Sequence, residues 1–476
     1  MPTRREFLYR SAAIAATTTT AAAHAQQPKQ STRKRPNIVF ILADDLGYGH
    51  LGCYGQKKIR TPHLDRMAAE GMRFTDAYSG CTVCAPSRSS LMTGLHTGHT
   101  PIRGNEGGVP LLPEERTVAE MLKAAGYRTG LFGKWGLGDA HTTGVPNKKG
   151  FHEFFGYLHQ LHAHFYYTHF LWKNDSKVFL ANRHDWRREY THDRIAQEGL
   201  DFIRRNRGNP FFLYLPFTIP HAELLAPADS VAEYDGQFPE TPFTSEPRMH
   251  YAPNPKPKAT IAGMITRLDR TVGQVFTLLK ELDLDNDTIV FFASDNGPDA
   301  LNGNDPDFFQ AAGPFRGYKT DMYEGGIRVP FIARWPGRIT AGTINHHPCA
   351  FWDFFPTAAE LVGATAPTHL DGKSLVPQLL SQTTATATRD TGLYWERSDE
   401  KGGYLQAARI GDWKAVRPAP KAPIEIYNLK SDIGEKSNVA AQQPEIRRKM
   451  EDFLASAHRD ARPQTSYPPT DGRRFH

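Results

Sequence analysis

Asn37-Ile38-Val39-Phe40-Ile41-Leu42-Ala43 is a nearly continuous apolar run that stops at Asp44-Asp45-Leu46-Gly47. Such a run suits a β-strand buried on both faces. Further strand candidates are Thr129–Phe132, Phe211–Phe217, Thr288–Ala293 and Val329–Ala333. Helical patterns lie between them, at His63–Glu70, Glu114–Ala125, Asp193–Arg205 and Ile261–Leu282. Strands alternating with helices predict an α/β fold, with a mostly parallel central sheet flanked by helices. Leu224–Lys258, rich in proline and polar residues, reads as a long excursion. After about Asp390 the texture changes to short β-type runs: Gly392–Glu396, Tyr404–Ile410, Trp413–Val416 and Ile424–Tyr427. One helix follows, Pro444–His458. This pattern predicts a smaller C-terminal antiparallel sheet plus helix. The expected division is a main domain over 36–385 and a C-terminal α+β subdomain over 386–476.

The 476 residues are 39% hydrophobic and 23% charged, which is a globular composition. The formal charge is +6, and residues 1–35 alone hold seven cations against one anion. The rest is formally neutral, so the charge gives no reason to expect nucleic acid as a partner. Four cysteines in a chain this long exclude a disulfide scaffold. No apolar run reaches the roughly 18 residues that a membrane span needs. Residues 1–25 read as an export signal. Thr3-Arg4-Arg5-Glu6-Phe7-Leu8 is a twin-arginine pattern, a small-residue stretch runs from Ser11 to Ala23, and Ala23-His24-Ala25 supplies a cleavage site. Residues 26–35 are then expected to be a basic, disordered lead-in, and the location periplasmic or secreted.

Ligands of open parallel sheets bind beyond the carboxyl ends of the strands. Asp44 and Asp45 sit just past the first strand, and Asp295 and Asn296 just past Ile289–Ala293. Two oxygen-bearing pairs with no histidine among them suit a hard cation, calcium or magnesium. Each motif alone is also an ordinary turn sequence. The strongest signal is Cys84-Ala85-Pro86-Ser87-Arg88-Ser89-Ser90-Leu91-Met92-Thr93-Gly94. Pro86 suits the first turn of a helix, which sets Cys84 at a helix N-terminus, a ready anion site. Arg88 falls one turn further and reaches back towards the same anion. Cys81-Thr82-Val83-Cys84 is also a C-x-x-C, a redox or metal pattern, but no second one exists and Cys53 and Cys349 are isolated.

At C-x-P-S-R followed by x-x-x-x-T-G the chain resembles the sulfatases. The resemblance continues through Gly126-Tyr127-Arg128-Thr129-Gly130-Leu131-Phe132-Gly133-Lys134-Trp135-Gly136-Leu137-Gly138 and Ser294-Asp295-Asn296-Gly297. It extends to Lys319, in G-Y-K-x-x-x-x-E-G-G-I-R-V-P, and to Ile426-Tyr427-Asn428-Leu429, and covers essentially all of residues 36–460. It implies an alkaline-phosphatase-like fold. It also implies that a maturation enzyme oxidises Cys84 to formylglycine, whose hydrate is the nucleophile. Calcium, with magnesium second, is expected on Asp44, Asp45, Asp295, Asn296 and residue 84. Arg88, Lys134 and Lys319 are expected to clamp the sulfate, and His221 to protonate the leaving oxygen. Elementary chemistry agrees, because a thiolate is a soft partner for a hard cation and an aldehyde hydrate offers oxygen.

The resemblance breaks at Gly136, where many sulfatases read G-K-W-H-L-G and that histidine helps collapse the sulfated intermediate. Either another histidine fills the vacancy or the turnover chemistry is altered. His164 is the candidate, from an extended segment on which His162 and His164 face one side. Trp395 and Glu396 are expected at the mouth of the site, the ring stacking on a sugar and the carboxylate accepting its hydroxyls. The expected activity is hydrolysis of sulfate from a sulfated carbohydrate or aryl sulfate. Two alternatives stay open: a phosphonate monoester or phosphodiester hydrolase with the same nucleophile, and a catalytically silent glycan-binding relative.

Overall fold

The first strand, β1 (Asn37–Ala43), is buried at every position. Ile38, Phe40 and Leu42 enter one apolar core, while Val39, Ile41 and Ala43 enter another. Side chains alternate across a strand, so a strand covered on both faces must be apolar throughout. The computed structural model describes residues 35–463 except 106, 183–185, 245–250, 381–388 and 399–402. The expected signal segment, the lead-in up to residue 34 and the expected boundary at 385/386 lie outside the described residues.

The strands continue as β2 (Met72–Phe74), β3 (Ala77–Tyr78), β4 (Arg128–Lys134), β5 (Glu153–Tyr157), β6 (Phe170–Lys173), β7 (Ser176–Phe179) and β8 (Phe211–Pro216). Then come β9 (Thr288–Ser294), β10 (Phe331–Arg334), β11 (Thr343–Asn345) and β12 (Cys349–Ala350). Ten of them form one sheet in the order β11-β2-β10-β9-β1-β8-β4-β5-β6-β7, and β3 pairs with β12 separately. The run β9-β1-β8-β4-β5 is parallel, whereas β10, β6 and β7 pair antiparallel with their neighbours. The mostly parallel sheet is therefore present, with antiparallel pairing towards both edges. Helices Pro62–Glu70, Val118–Ala124, Thr191–Asn206 and Pro257–Glu281 stand near the expected ranges. The second begins later than its periodicity suggested because Thr117 and Glu120 form a capping box there.

The C-terminal sheet has the order β13 (Leu393–Ser398), β14 (Tyr404–Ile410), β15 (Trp413–Arg417) and β16 (Glu425–Asn428), all antiparallel. One face, with Leu393, Trp395, Ala407 and Val416, packs on Tyr78, Ile327 and Trp352. The other face packs on Met450 and Leu454 of the helix Pro444–Ala457. Among the described residues no helix is long and apolar enough to cross a membrane.

Candidate active site

Parallel strands bring their carboxyl ends to one edge of the sheet. Ala43 of β1 is in register with Ser294 of β9, so Asp44 and Asp45 stand beside Asp295 and Asn296. Lys134 closes β4, and the chain leaving β8 reaches His221. The helix Cys84–Thr93 starts here, with Val83 as its extended N-cap residue and Pro86 in its first turn, where a missing N–H costs nothing. Gly94 (φ +72°) ends it in the left-handed conformation that favours glycine.

Cys84 Sγ donates to Asp44 Oδ1 at 3.3 Å. The other Asp44 oxygen lies 2.7 Å from Lys134 Nζ and 3.4 Å from Arg88 Nη2. Arg88 also forks onto Asp295 Oδ2 through Nε at 3.1 Å and Nη2 at 2.7 Å, and its Nη1 donates to the Lys134 carbonyl at 2.9 Å. Asp45 Oδ2 accepts from Lys319 Nζ at 2.7 Å and faces His221 Nε2 at 3.5 Å, while its Oδ1 accepts from Asn296 Nδ2 at 2.7 Å. The structure thus brings together Asp44, Asp45, Cys84, Arg88, Lys134, His221, Asp295, Asn296 and Lys319. All are buried except Lys319, whose side chain keeps 12% of its surface.

Burial opposes ionisation of Asp44, but Lys134, His221 and Arg88 outweigh it and hold the carboxyl far below the usual range. Asp45 is pushed up to about 7 by burial, which Asp44 reinforces against the pull of Lys319. Asp295 is raised by burial and by Asp44. Burial and then Asp44 push the Cys84 thiol upward, so it rests protonated. Burial and then Lys319 hold His221 well below the usual imidazole value. His221 Nδ1 donates to the Ala222 carbonyl, which leaves Nε2 as the nitrogen facing Asp45.

These residues fit a hard divalent cation. Asn296 Oδ1 is buried without a hydrogen-bond partner, and two of the three clustered carboxyls resist ionisation. Crowded oxygen donors with an orphaned carbonyl are what such an ion satisfies. Ligand atoms of Asp44, Asp45, Cys84 and His221 lie within 4.8 Å of one another. The thiol is the ill-matched member, being soft.

Three expectations need correction. Trp395 and Glu396 are fully buried and do not line a mouth. Trp395 Nε1 donates to the Ser79 carbonyl at 2.9 Å, and its ring packs on Tyr78 and Trp352. Glu396 is held by Arg103 at 2.8 Å and His458 at 2.7 Å. The segment around His164 is not extended but a 3-10 turn, His162–His164, and His162 bonds to Thr168 Oγ1 at 2.8 Å. His164 does reach the site, stacked on His221 with ring centroids 4.3 Å apart, and burial holds it well below the usual value. It does not fill the space beside Gly136, where Gln160 stands instead. Sequence reasoning also missed Tyr251, whose hydroxyl is 3.0 Å from His164 Nδ1, and Asn105, whose Oδ1 accepts the Ala85 N–H at 3.0 Å. Only the gap left by Gly136 signalled that a neighbour such as Gln160 was needed.

The family profile described as Sulfatase matches residues 36–364, and one described as N-sulphoglucosamine sulphohydrolase, C-terminal, matches residues 316–460. N-acetylgalactosamine-6-sulfatase of Homo sapiens is 33% identical over 413 residues, covering 80% of this chain and 71% of that protein. Arylsulfatase A of Homo sapiens is 33% identical over 468 residues, covering 86% and 85%. The crystal structure of Ps i-CgsB in complex with k-i-k-neocarrahexaose matches with a TM-score of 0.75 at 29% identity, covering 88% of this chain and 93% of that one. A Sulfatase profile over most of the chain and relatives one-third identical over more than two thirds of their length show that the chain belongs to the sulfatase family and is a sulfatase enzyme.

Proposed function

We propose that this chain is an exported, calcium-dependent sulfatase that removes sulfate from a carbohydrate, through a formylglycine made from Cys84 by a maturation enzyme. The observation that carries this reading is the Cys84 thiol, 3.3 Å from Asp44 and protonated within a cluster of hard oxygen donors. A soft, unreactive group at that point is explained if it is the precursor of an oxygen-bearing one. Asp44, Asp45, Asp295 and Asn296 Oδ1 would hold the calcium. Together the metal and the oxidised residue supply charge neutralisation and an oxygen nucleophile.

The remaining work falls to the chain's own side chains. Arg88, Lys134 and Lys319 stand against Asp44, Asp45 and Asp295, so a divalent cation held by those carboxyls would leave the three cations available to an anion. Arg88, Lys134 and Lys319 then orient the sulfate oxygens. Arg88 is already locked by Asp295 and the Lys134 carbonyl, so little reorganisation is needed. His221 holds a proton at Nε2 for the leaving oxygen. An anionic ester beside the ring favours the imidazolium that burial and Lys319 disfavour. The carbohydrate assignment draws on the hexaose in Ps i-CgsB and the amino sugar in the name of the human relative. Export draws on the Arg4-Arg5 pattern and the Ala23-His24-Ala25 site.

The test combines peptide mass spectrometry at residue 84, in protein from a host competent for maturation, with sulfate release from defined sulfated oligosaccharides. An aldehyde mass with sulfate release is expected. Full turnover by protein carrying only the thiol would overturn the reading.

A further inference from the structure

The N–H of Ala85, the residue after the cysteine, is one of the donors that a helix start leaves without a partner inside the helix. It is not open to an anion, because Asn105 Oδ1 accepts it at 3.0 Å. The oxygen is the only acceptor of an amide side chain, so this bond also fixes which end of the Asn105 amide is oxygen and which is nitrogen. The same Oδ1 receives Gln160 Nε2 at 3.4 Å, and Gln160 packs against Gly136, two residues beyond Lys134. Asn105 therefore stands between the start of the cysteine-bearing helix and the stretch that follows β4. Its loop is anchored by buried Arg103, which donates to Glu396 Oε1 at 2.8 Å and to the Thr100 carbonyl at 3.1 Å.

With Oδ1 committed to the helix start, the end of Asn105 that can meet a ligand is the donor, Nδ2. The nitrogen shares a carbon with Oδ1 and is about 2.2 Å from it. It therefore lies no more than about 5.2 Å from the Ala85 nitrogen, in the peptide that joins residues 84 and 85. Apart from Lys319, the residues clustered about Cys84 are buried, whereas Asn105 is exposed. A donor fixed this close to residue 84 and reached by solvent meets the part of a substrate that stays outside the buried clamp. We propose that Asn105 is a specificity-determining residue, whose Nδ2 donates a hydrogen bond to an oxygen substituent of the sugar that carries the scissile sulfate. The proposal rests on the carbohydrate reading above. An aryl ester without ring hydroxyls offers no such acceptor, so this bond favours the sugar over the aryl group.

The test measures kcat/KM of the matured, calcium-loaded, full-length enzyme on two substrates. One is an aryl sulfate without ring hydroxyls. The other is the best substrate in a panel of monosulfated galactose, glucose and their N-acetylamino sugars. Asn105→Asp keeps an oxygen for the Ala85 N–H and replaces the donor with an acceptor. The added charge opposes both sulfates alike, so the sugar-to-aryl ratio isolates the donor. That ratio should fall by about three- to tenfold, the scale of one hydrogen bond. Asn105→Ala loses cap and donor together and should lower the ratio by a similar factor. A ratio unchanged in the aspartate variant overturns the proposal, and a fall in the alanine variant alone assigns the effect to the cap. A wild type that turns over the aryl sulfate but no member of the panel overturns the carbohydrate reading, and this proposal with it.

Discussion

Cys84 Sγ is hydrogen-bonded to Asp44 Oδ1 across 3.3 Å, which ties the start of a helix to the carboxyl end of β1. The carboxylate is held ionised, so a thiolate beside it is disfavoured and the group rests as a thiol. Replacing Cys84 with alanine removes the only atom there that can be oxidised. The kcat on an aryl sulfate should fall by at least about 10³-fold, the scale on which removing a nucleophile acts. The melting temperature should change by less than about 4 °C, since one buried sulfur is a small fraction of the core. Near wild-type turnover in Cys84→Ala would exclude a covalent role.

Asn296 Oδ1 and the carboxyls of Asp44, Asp45 and Asp295 form an oxygen set suited to one hard cation. Elemental analysis of dialysed protein should find about one calcium per chain. A metal that binds only the native state adds about 2.7 kcal/mol at a concentration a hundredfold above its Kd, so chelation should lower the melting temperature. Asn296→Ala should weaken calcium binding without abolishing expression. Stoichiometric zinc, with activity lost only to a zinc chelator, would count against calcium.

Lys134 is wholly buried with Nζ 2.7 Å from Asp44. Lys134→Met leaves that carboxylate with one cation fewer and removes a charge from the proposed sulfate clamp. The kcat/KM should fall by about 10²-fold, the usual scale for one preorganised electrostatic partner. Lys134→Arg should not rescue it, because a planar guanidinium fork does not reproduce the wholly buried point charge beside Asp44. Restored activity in the arginine variant would show that charge alone suffices.

The fold was legible where chemistry and burial coincide. β1 declared itself because both of its faces are covered, and its terminal Asp44-Asp45 marked the site edge. The C-terminal strands were also legible, but not their packing. Trp395 looked available because a small antiparallel sheet often keeps one face wet. The sheet is instead sandwiched between Tyr78, Ile327 and Trp352 on one face and the helix Pro444–Ala457 on the other, so both faces are dry. Gln160 carried no signal of its own, since glutamine is ordinarily a surface residue. Its place follows only from the conformation of Gly136 and the long-range contact to Asn105.

Acid should destabilise the fold through its buried neutral histidines. His192 is buried against Thr271 Oγ1 at 2.9 Å, and burial pulls it down to about 4. Burial pulls His50 and His162 to about 3. The unfolded chain titrates these groups near about 6.5, so below that the unfolded state binds more protons. The stability they contribute is complete above about pH 6.5 and is lost as pH falls towards the folded values. Each adds up to about 1.4 kcal/mol per pH unit to the slope within that window. His192→Gln should therefore lose less melting temperature than wild type between about pH 6.5 and 4.5, though it starts lower. An unchanged slope would show that His192 titrates normally.

His164 was expected to replace the family histidine missing at Gly136, but its geometry points to support. Its ring stacks on His221 at 4.3 Å with planes 26° apart, and its Nδ1 meets the Tyr251 hydroxyl at 3.0 Å. A stacked ring fixes the plane of its neighbour and excludes water behind it. His164→Ala should therefore let the His221 ring reorient and lower kcat by about tenfold, a part of the roughly 10²- to 10⁴-fold that a general acid contributes. His164→Phe keeps an aromatic face and loses both ring nitrogens. If the role is support, the phenylalanine variant should recover most of the lost kcat while leaving KM close to wild type. Tyr251→Phe should then cost little, because it removes the hydroxyl and leaves the stack. If His164→Phe is as impaired as His164→Ala, a ring nitrogen takes part in turnover and the support role is wrong.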